Sequence, residues 1–263
     1  MDRRHALSYA DEVQIIAHRG ASYDAPENTL AAIRLAWDQG ADAVEIDVHL
    51  SKDGRLAVIH DPNTRKITGV RKLVRDQTLA ELRGLDAGRW KDTRWAGECI
   101  PELSEVLAIL PDGKRLFVEI KCGPECLSEF RRVLRLSGKR RDQVIAIGFD
   151  LETMAAIKRT LPPLEVCWIA EFKRSWKTAR WLPLPETLIQ KAKAAGLDGL
   201  ALGVRGPINL KLAEKIRAAR LKFYLWTVDS PAKANGLLVL GVDGIATNRP
   251  GWLRARLKAL APS

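Results

Sequence analysis

The chain has 263 residues, 46% of them apolar, which is enough to bury a large core and excludes both a disordered polypeptide and a disulfide-stapled miniprotein. Its length suits one eight-stranded α/β barrel. Forty-three Lys and Arg against 32 Asp and Glu leave a formal charge of +11, which favours an anionic partner (a phosphoester, an anionic membrane surface, a nucleic acid) without choosing among them.

In chain order, short β-branched runs predict strands at Val13–Ala17, Ala43–His49, Leu56–His60, Leu116–Ile120, Val144–Ile147, Val166–Ala170, Gly199–Leu202, Phe223–Val228 and Gly244–Thr247. Apolar residues at three- and four-residue spacing predict helices between them. These lie at Thr29–Gln39, Leu103–Ile109, Leu151–Arg159, Pro185–Ala195, Leu210–Ala219 and Ala232–Leu240. Alternation of this kind implies a parallel sheet with helical crossovers, closed into a TIM (β/α)8 barrel, with an open doubly wound sheet as the alternative. No linker or composition break divides the chain, so residues 1–263 read as a single domain, with 61–101 as a small inserted, cap-like region after the second strand.

The prediction contains one strand more than the barrel needs. Ala43–His49 and Leu56–His60 are joined by too few residues for a parallel crossover, and Asp53-Gly54 is a strong hairpin-turn dipeptide. The pair therefore reads as an antiparallel excursion. A two-residue loop at Asp53-Gly54 would set Lys52 opposite Arg55, His49 opposite Val58 and Asp47 opposite His60. Glu45, Asp47 and His49 would share one face.

A barrel keeps its chemistry at the C-terminal ends of its strands. There the sequence places His18 and Arg19, Glu45 and Asp47, His60, and Glu119 with Lys121. A carboxylate inside an apolar strand is costly unless it is paired or holds a metal. Three carboxylates converging on a barrel mouth suit a hard divalent cation, Mg²⁺ or Ca²⁺. His18 and His60 beside the same acids point to proton transfer, and Arg19 and Lys121 suit a phosphate oxyanion. The four cysteines, Cys99, Cys122, Cys126 and Cys167, lack zinc-site spacing and read as reduced thiols. No apolar run of signal-peptide or membrane-span length is present, so a cytoplasmic protein is expected.

At these residues the chain resembles the glycerophosphodiester phosphodiesterase family. The likeness runs through His18-Arg19-Gly20-Ala21, Pro26-Glu27-Asn28-Thr29, Glu45-Ile46-Asp47-Val48, Ser51-Lys52-Asp53-Gly54 and His60-Asp61. It continues at Ile100-Pro101-Glu102-Leu103, Glu119-Ile120-Lys121, Trp226-Thr227-Val228 and Gly241-Val242-Asp243-Gly244-Ile245. The resemblance implies a TIM barrel that hydrolyses glycerophosphodiesters to sn-glycerol 3-phosphate and an alcohol, a lysophospholipase D-like activity on lipids being the alternative. It implies His18 and His60 as the acid–base pair, with Glu45, Asp47 and Glu119 as metal ligands. Arg19 and Lys121 would contact the phosphate, and Phe149 and Trp226 would line the substrate mouth. The implied partner is a small glycerophosphodiester, not a nucleic acid. Two positions depart from the family pattern: Gly148, where serine is common, and Asp229, where asparagine is usual. The segment Phe172–Trp181, rich in tryptophan and basic residues, has no family counterpart. It reads as a solvated basic loop beside the mouth, or as a transient contact with a membrane surface through 172–181.

Overall fold

A computed structural model of the chain describes residues 13–260. Eight parallel strands close into a barrel: β1 (Gln14–His18), β2 (Ala43–Leu50), β4 (Arg115–Ile120), β5 (Val144–Gly148), β6 (Glu165–Ala170), β9 (Gly199–Gly203), β10 (Lys222–Trp226) and β11 (Gly244–Thr247). Pairing of β1 with both β2 and β11 completes the circle. The short β3 (Leu56–Val58) pairs antiparallel with β2, as the surplus strand should. A two-stranded hairpin, β7 (Lys173–Arg174) and β8 (Trp181–Leu182), follows β6 where the sequence suggested a loop.

The crossover helices are α1 (Leu30–Asp38), α4 (Leu103–Ala108), α5 (Leu127–Leu136), α6 (Leu151–Thr160), α7 (Pro185–Ala194), α8 (Leu210–Ala218) and α9 (Pro231–Leu238), with α10 (Pro250–Leu260) after the last strand. Their starts are chemically specified. Thr29, Asp150, Asn209 and Ser230 each accept a hydrogen bond from a first-turn N–H of the helix they precede. Of these helices, α5 and α10 were not among the predicted elements.

Three apolar layers hold the fold. The main core lies between sheet and helices, around side chains such as Ile33, Val44, Leu103 and Phe130. A second cluster fills the barrel itself, with Phe117 stacked edge-on to Tyr224 at 5.0 Å. Truncating Phe117 to Ala would cost about 3–5 kcal/mol in a site this closed. Below it, Arg115, Glu165 and Tyr224 form a polar plug at the N-terminal end: the guanidinium contacts Glu165 at 2.6 Å and the phenol donates to the same carboxylate at 2.7 Å. A third cluster joins Ile59, at the end of the β3 segment, to Ile67, Val74, Leu82 and Ile100 of the 61–101 insertion. That region holds α2 (Arg65–Thr68) and α3 (Leu79–Arg83), and it leans on the β1–α1 loop through Lys91, which donates to the Ser22 carbonyl at 2.8 Å.

The hairpin register differs from the expected one. The observed partners are Val48–Val58, His49–Ala57 and Leu50–Leu56, one residue out of step with the predicted pairing of Asp47 with His60. A type I′ turn needs positive φ at two residues, but of the pair only Gly54 adopts it, at φ 73°. The connection is instead the five-residue Ser51–Arg55 loop, closed by Ser51 N–H to the Arg55 carbonyl and Arg55 N–H to Ser51 Oγ. Lys52 and Asp53 are drawn away to hydrogen-bond Gln77 and Leu79 in the insertion. His60 leaves the strand after Val58 and reaches the mouth by another route.

Candidate active site

The parallel register assembles the acids. His18 at the end of β1 lies level with Glu45 on β2, and Asp47, two residues on, lies level with Glu119 on β4. Alternation turns Glu45, Asp47 and Glu119 toward the same interior. Glu45 is 4% exposed, Asp47 0% and Glu119 8%, so each carboxylate has exchanged water for protein.

The β1–α1 loop supplies their first counter-charge. Arg19 sits in the left-handed region at φ 58°, and Gly20 follows at φ 80° so tightly that a Cβ would lie 2.6 Å from the Ala32 backbone. That turn aims the Arg19 N–H at Glu45 Oε2 (3.0 Å), its Nε at Asp47 Oδ2 (3.2 Å) and its Nη1 at Glu27 (3.1 Å). Asn28, also left-handed, brackets Asp47. Its amide donates to Oδ2 at 2.9 Å, and its carbonyl accepts from the Asp47 N–H at 3.1 Å. Lys121, at the end of β4, places Nζ 3.1 Å from Asp47 Oδ1 and 2.5 Å from Glu119 Oε1.

These neighbours separate the three acids. Burial alone would raise Asp47, but Lys121 and Arg19 override it and hold the carboxyl below its ordinary value. Burial, then repulsion from Asp47 and Glu119, pushes Glu45 well above its own. Burial, then Asp47, lifts Glu119 to about 7, against the pull of Lys121. Three carboxylates against two cations leave the cluster one negative charge in excess when all are ionised. One oxygen of each lies within 4.8 Å of the other two. Glu45 Oε1 is buried with no donor, and the corresponding oxygens of Asp47 and Glu119 have only the Lys121 ammonium. The donor set, all oxygen, buried and undersupplied with positive charge, fits a hard divalent cation.

The two histidines are held by different partners. His18 Nδ1 is 2.8 Å from Asn248 Oδ1, and Asn248 is held in turn by Asp229, which accepts from its amide Nδ2 at 2.6 Å. With the amide nitrogen committed to Asp229, the oxygen faces His18, so Nδ1 carries the proton and Nε2 keeps its lone pair. Nε2 looks inward, 4.0 Å from Glu45 Oε2. Burial, assisted by Arg19, lowers the His18 pKa and keeps the ring neutral. His60 Nδ1 is 2.6 Å from Asp61 Oδ1, and its backbone carbonyl lies 3.0 Å from His49 Nε2. Phe149 and Trp226 meet edge-to-face at 5.8 Å across the mouth, with Lys121 5.8 Å from the Phe149 ring.

Of the nine residues predicted for the site, eight line a single cavity of about 130 Å³. Asp47 lies just beneath, fully buried, and acts on the mouth through Arg19 and Lys121. Sequence reasoning gave no role to Asn248, Asp229, Asn28 or Asp61. Asn248 immediately follows β11, so the strand-end rule that found the other residues would have reached it too.

A profile of the Glycerophosphoryl diester phosphodiesterase family matches residues 18–252, from the first catalytic-end histidine to the final helix. The chain belongs to that family. Among members of the glycerophosphoryl diester phosphodiesterase family, it is 33% identical to a glycerophosphodiester phosphodiesterase of Caldanaerobacter subterraneus, over 91% of this chain and 95% of that one. It is 30% identical to a Bacillus subtilis glycerophosphodiester phosphodiesterase, over 91% of this chain and 85% of the relative. Its fold superposes with a TM-score of 0.83 on an Oleispira antarctica phosphodiesterase solved with the product sn-glycerol-3-phosphate, at 27% identity and covering 96% and 99% of the two chains.

Proposed function

We propose that the protein hydrolyses glycerophosphodiesters to sn-glycerol 3-phosphate and an alcohol, with His18 and His60 as its acid–base pair. The observation that carries this reading is the convergence of two inward-facing imidazoles, three buried carboxylates and two cations on one mouth. Glu45, Asp47 and Glu119 would hold Mg²⁺ or Ca²⁺. When bound, such an ion polarises the phosphoryl oxygens and lowers the pKa of a coordinated hydroxyl.

The protein's own groups divide the remaining work. Arg19 and Lys121 place positive charge at the rim, where the phosphodiester oxygens would lie. His18 Nε2, unprotonated in the tautomer Asn248 selects, takes the proton of the glycerol 2-hydroxyl as that oxygen attacks phosphorus. His60 delivers a proton to the departing alcohol oxygen as its bond to phosphorus breaks, and Asp61 offers the counter-charge for the doubly protonated ring. A cyclic glycerol phosphate results. In the second half the roles reverse. His60 takes a proton from water as its oxygen attacks phosphorus, and His18 returns its proton to the 2-hydroxyl as the ring opens. Both histidines end as they began. Phe149 and Trp226 form the apolar wall against which the substrate rests.

The test is glycerol 3-phosphate release from glycerophosphocholine by purified protein. EDTA should abolish release and added Mg²⁺ or Ca²⁺ restore it, and His18→Ala and His60→Ala should each lose about 10²–10⁴-fold in kcat. Unchanged turnover in either histidine variant would overturn the reading.

A further inference from the structure

The segment after β6 stands up from the barrel. In its hairpin Lys173 pairs with Leu182 and Arg174 with Trp181, so the pairs occupy opposite faces. Trp181 packs partly buried against the core, leaving Lys173 and Leu182 together in solvent, Leu182 46% exposed. At the tip Trp176 is 88% exposed, with Lys177 Nζ 5.2 Å from its ring. An indole held out in water forgoes a large apolar burial, and no described residue covers it.

The hairpin has company. Nine of the twelve large apolar side chains exposed among the described residues, Tyr23, Trp90, Phe149, Trp176, Leu182 and Leu184 among them, lie in segments that leave the C-terminal ends of barrel strands, while Leu136, Val239 and Leu260 sit at the last turns of helices. Their distribution is therefore one-sided. The exposed rings carry cations beside them: Arg249 lies 4.1 Å from Tyr23, Lys66 5.8 Å from Trp90 and Lys121 5.8 Å from Phe149. Rings flanked by cations match the boundary of an anionic bilayer, where the apolar body enters the headgroup layer and the charge meets phosphate. Nucleic acid fits less well. Leu182 and Leu184 offer no face for base stacking, and Trp176 crowns a protruding tip, whereas single strands are bound in grooves.

We propose that the C-terminal end of the barrel docks on anionic phospholipid surfaces, with the Trp176 hairpin as its anchor. Contact of this kind is peripheral, since no helix among the described residues is long and apolar enough to cross a membrane. A cavity of about 680 Å³ lined by Phe172, Arg174, Trp181 and Trp226 runs from the hairpin to the site wall, so the docked mouth would open toward the headgroups. The inference stands apart from the catalytic reading, because docking needs none of the site residues to turn over.

Co-sedimentation decides it, using vesicles of phosphatidylcholine with about 30% phosphatidylglycerol against pure phosphatidylcholine. The full-length protein should bind the anionic vesicles, lose binding as salt rises, and leave pure phosphatidylcholine largely unbound. Trp176→Ala should weaken binding roughly tenfold. The triple variant Lys173→Glu, Lys177→Glu, Arg180→Glu should weaken it roughly a hundredfold, at about fivefold per cation. A matched triple, Lys191→Glu, Lys193→Glu, Lys258→Glu, carries the same charge change in the last turns of α7 and α10, at the opposite end of the barrel, and should cost far less. Thermal unfolding confirms that each variant is folded. Equal losses in the two triple variants, or no loss with Trp176→Ala, would overturn the proposal. Binding to a single-stranded oligonucleotide that the hairpin variants abolish while vesicle binding persists would overturn it as well.

Discussion

Replacing Glu119 with Gln should make the metal-free protein more stable at pH 8, not less. Burial and Asp47 raise the Glu119 carboxyl from 4.5 to about 7, so ionising it in the folded chain is unfavourable without a bound cation. A folded pKa above the unfolded one gives stability that is present below 4.5 and lost as pH rises through 7. The loss is about 3 kcal/mol, at about 1.4 kcal/mol per pH unit. Glu45 is displaced in the same sense and adds to it. His18 and His49, both lowered by burial, act oppositely and favour the folded state as pH rises toward 6.5. The raw pH profile therefore mixes signs, but the histidines are common to variant and wild type and cancel in their difference. In EDTA, Glu119→Gln should unfold at the same temperature as wild type near pH 4.5 and on the order of 5–10 °C higher at pH 8. Added Mg²⁺ or Ca²⁺ should lift wild type and leave the variant nearly unmoved. Thermal unfolding followed by circular dichroism across pH 5–8 measures all of this. A Glu119→Gln protein less stable than wild type at pH 8 in EDTA would show that the Lys121 ion pair outweighs the burial of the acid.

Asp47→Ala should behave in the opposite way, since its carboxylate is held ionised by Lys121 and Arg19. Removing it takes from two partly buried cations the counter-charge they share, leaving Arg19 to Glu27 and Lys121 to Glu119, and should cost about 3 kcal/mol in urea unfolding. Asn248→Ala should lower kcat roughly tenfold to a hundredfold with KM little changed, because it releases the His18 tautomer without touching the rim cations. Nitrogen NMR of the imidazole should show mixed Nδ1–H and Nε2–H forms in that variant, and a single Nδ1–H form in the variant would refute the positioning role. Asp229→Ala should shift the same signals to a smaller degree, since Ser22 still donates to Asn248 Oδ1.

The acids of the site were readable because buried parallel strands are otherwise apolar. Glu45 and Asp47 interrupt Val44, Ile46 and Val48, and Glu119 interrupts Val118 and Ile120, so each stands out as a charge that needs a reason. The closed barrel followed from strand–helix alternation once the antiparallel pair had been set aside. The hairpin register was not readable, because a single-residue slip there depends on Ser51 closing a local loop with Arg55 and on Asp53 accepting from Leu79, a contact that arises only after the insertion has folded. Asn248 and Asp229 escaped for a related reason. Alone in a loop, each looks like an ordinary turn-former, and only the closing of β11 against β1 brings Asn248 to His18, with Asp229 behind it. The 172–181 hairpin lacks the alternating pattern of a strand, its two short arms being set by the packing of Trp181.

The bond between His18 and Asn248 spans 230 residues of chain. During synthesis the imbedded acids of β2 and β4 can be in place long before the residue that orients the first histidine leaves the ribosome. A nascent chain short of β11 has an unsealed barrel and an imidazole free to adopt either tautomer. A chain that lacks β11 and Asn248 therefore lacks both the strand that seals the barrel and the group that orients His18.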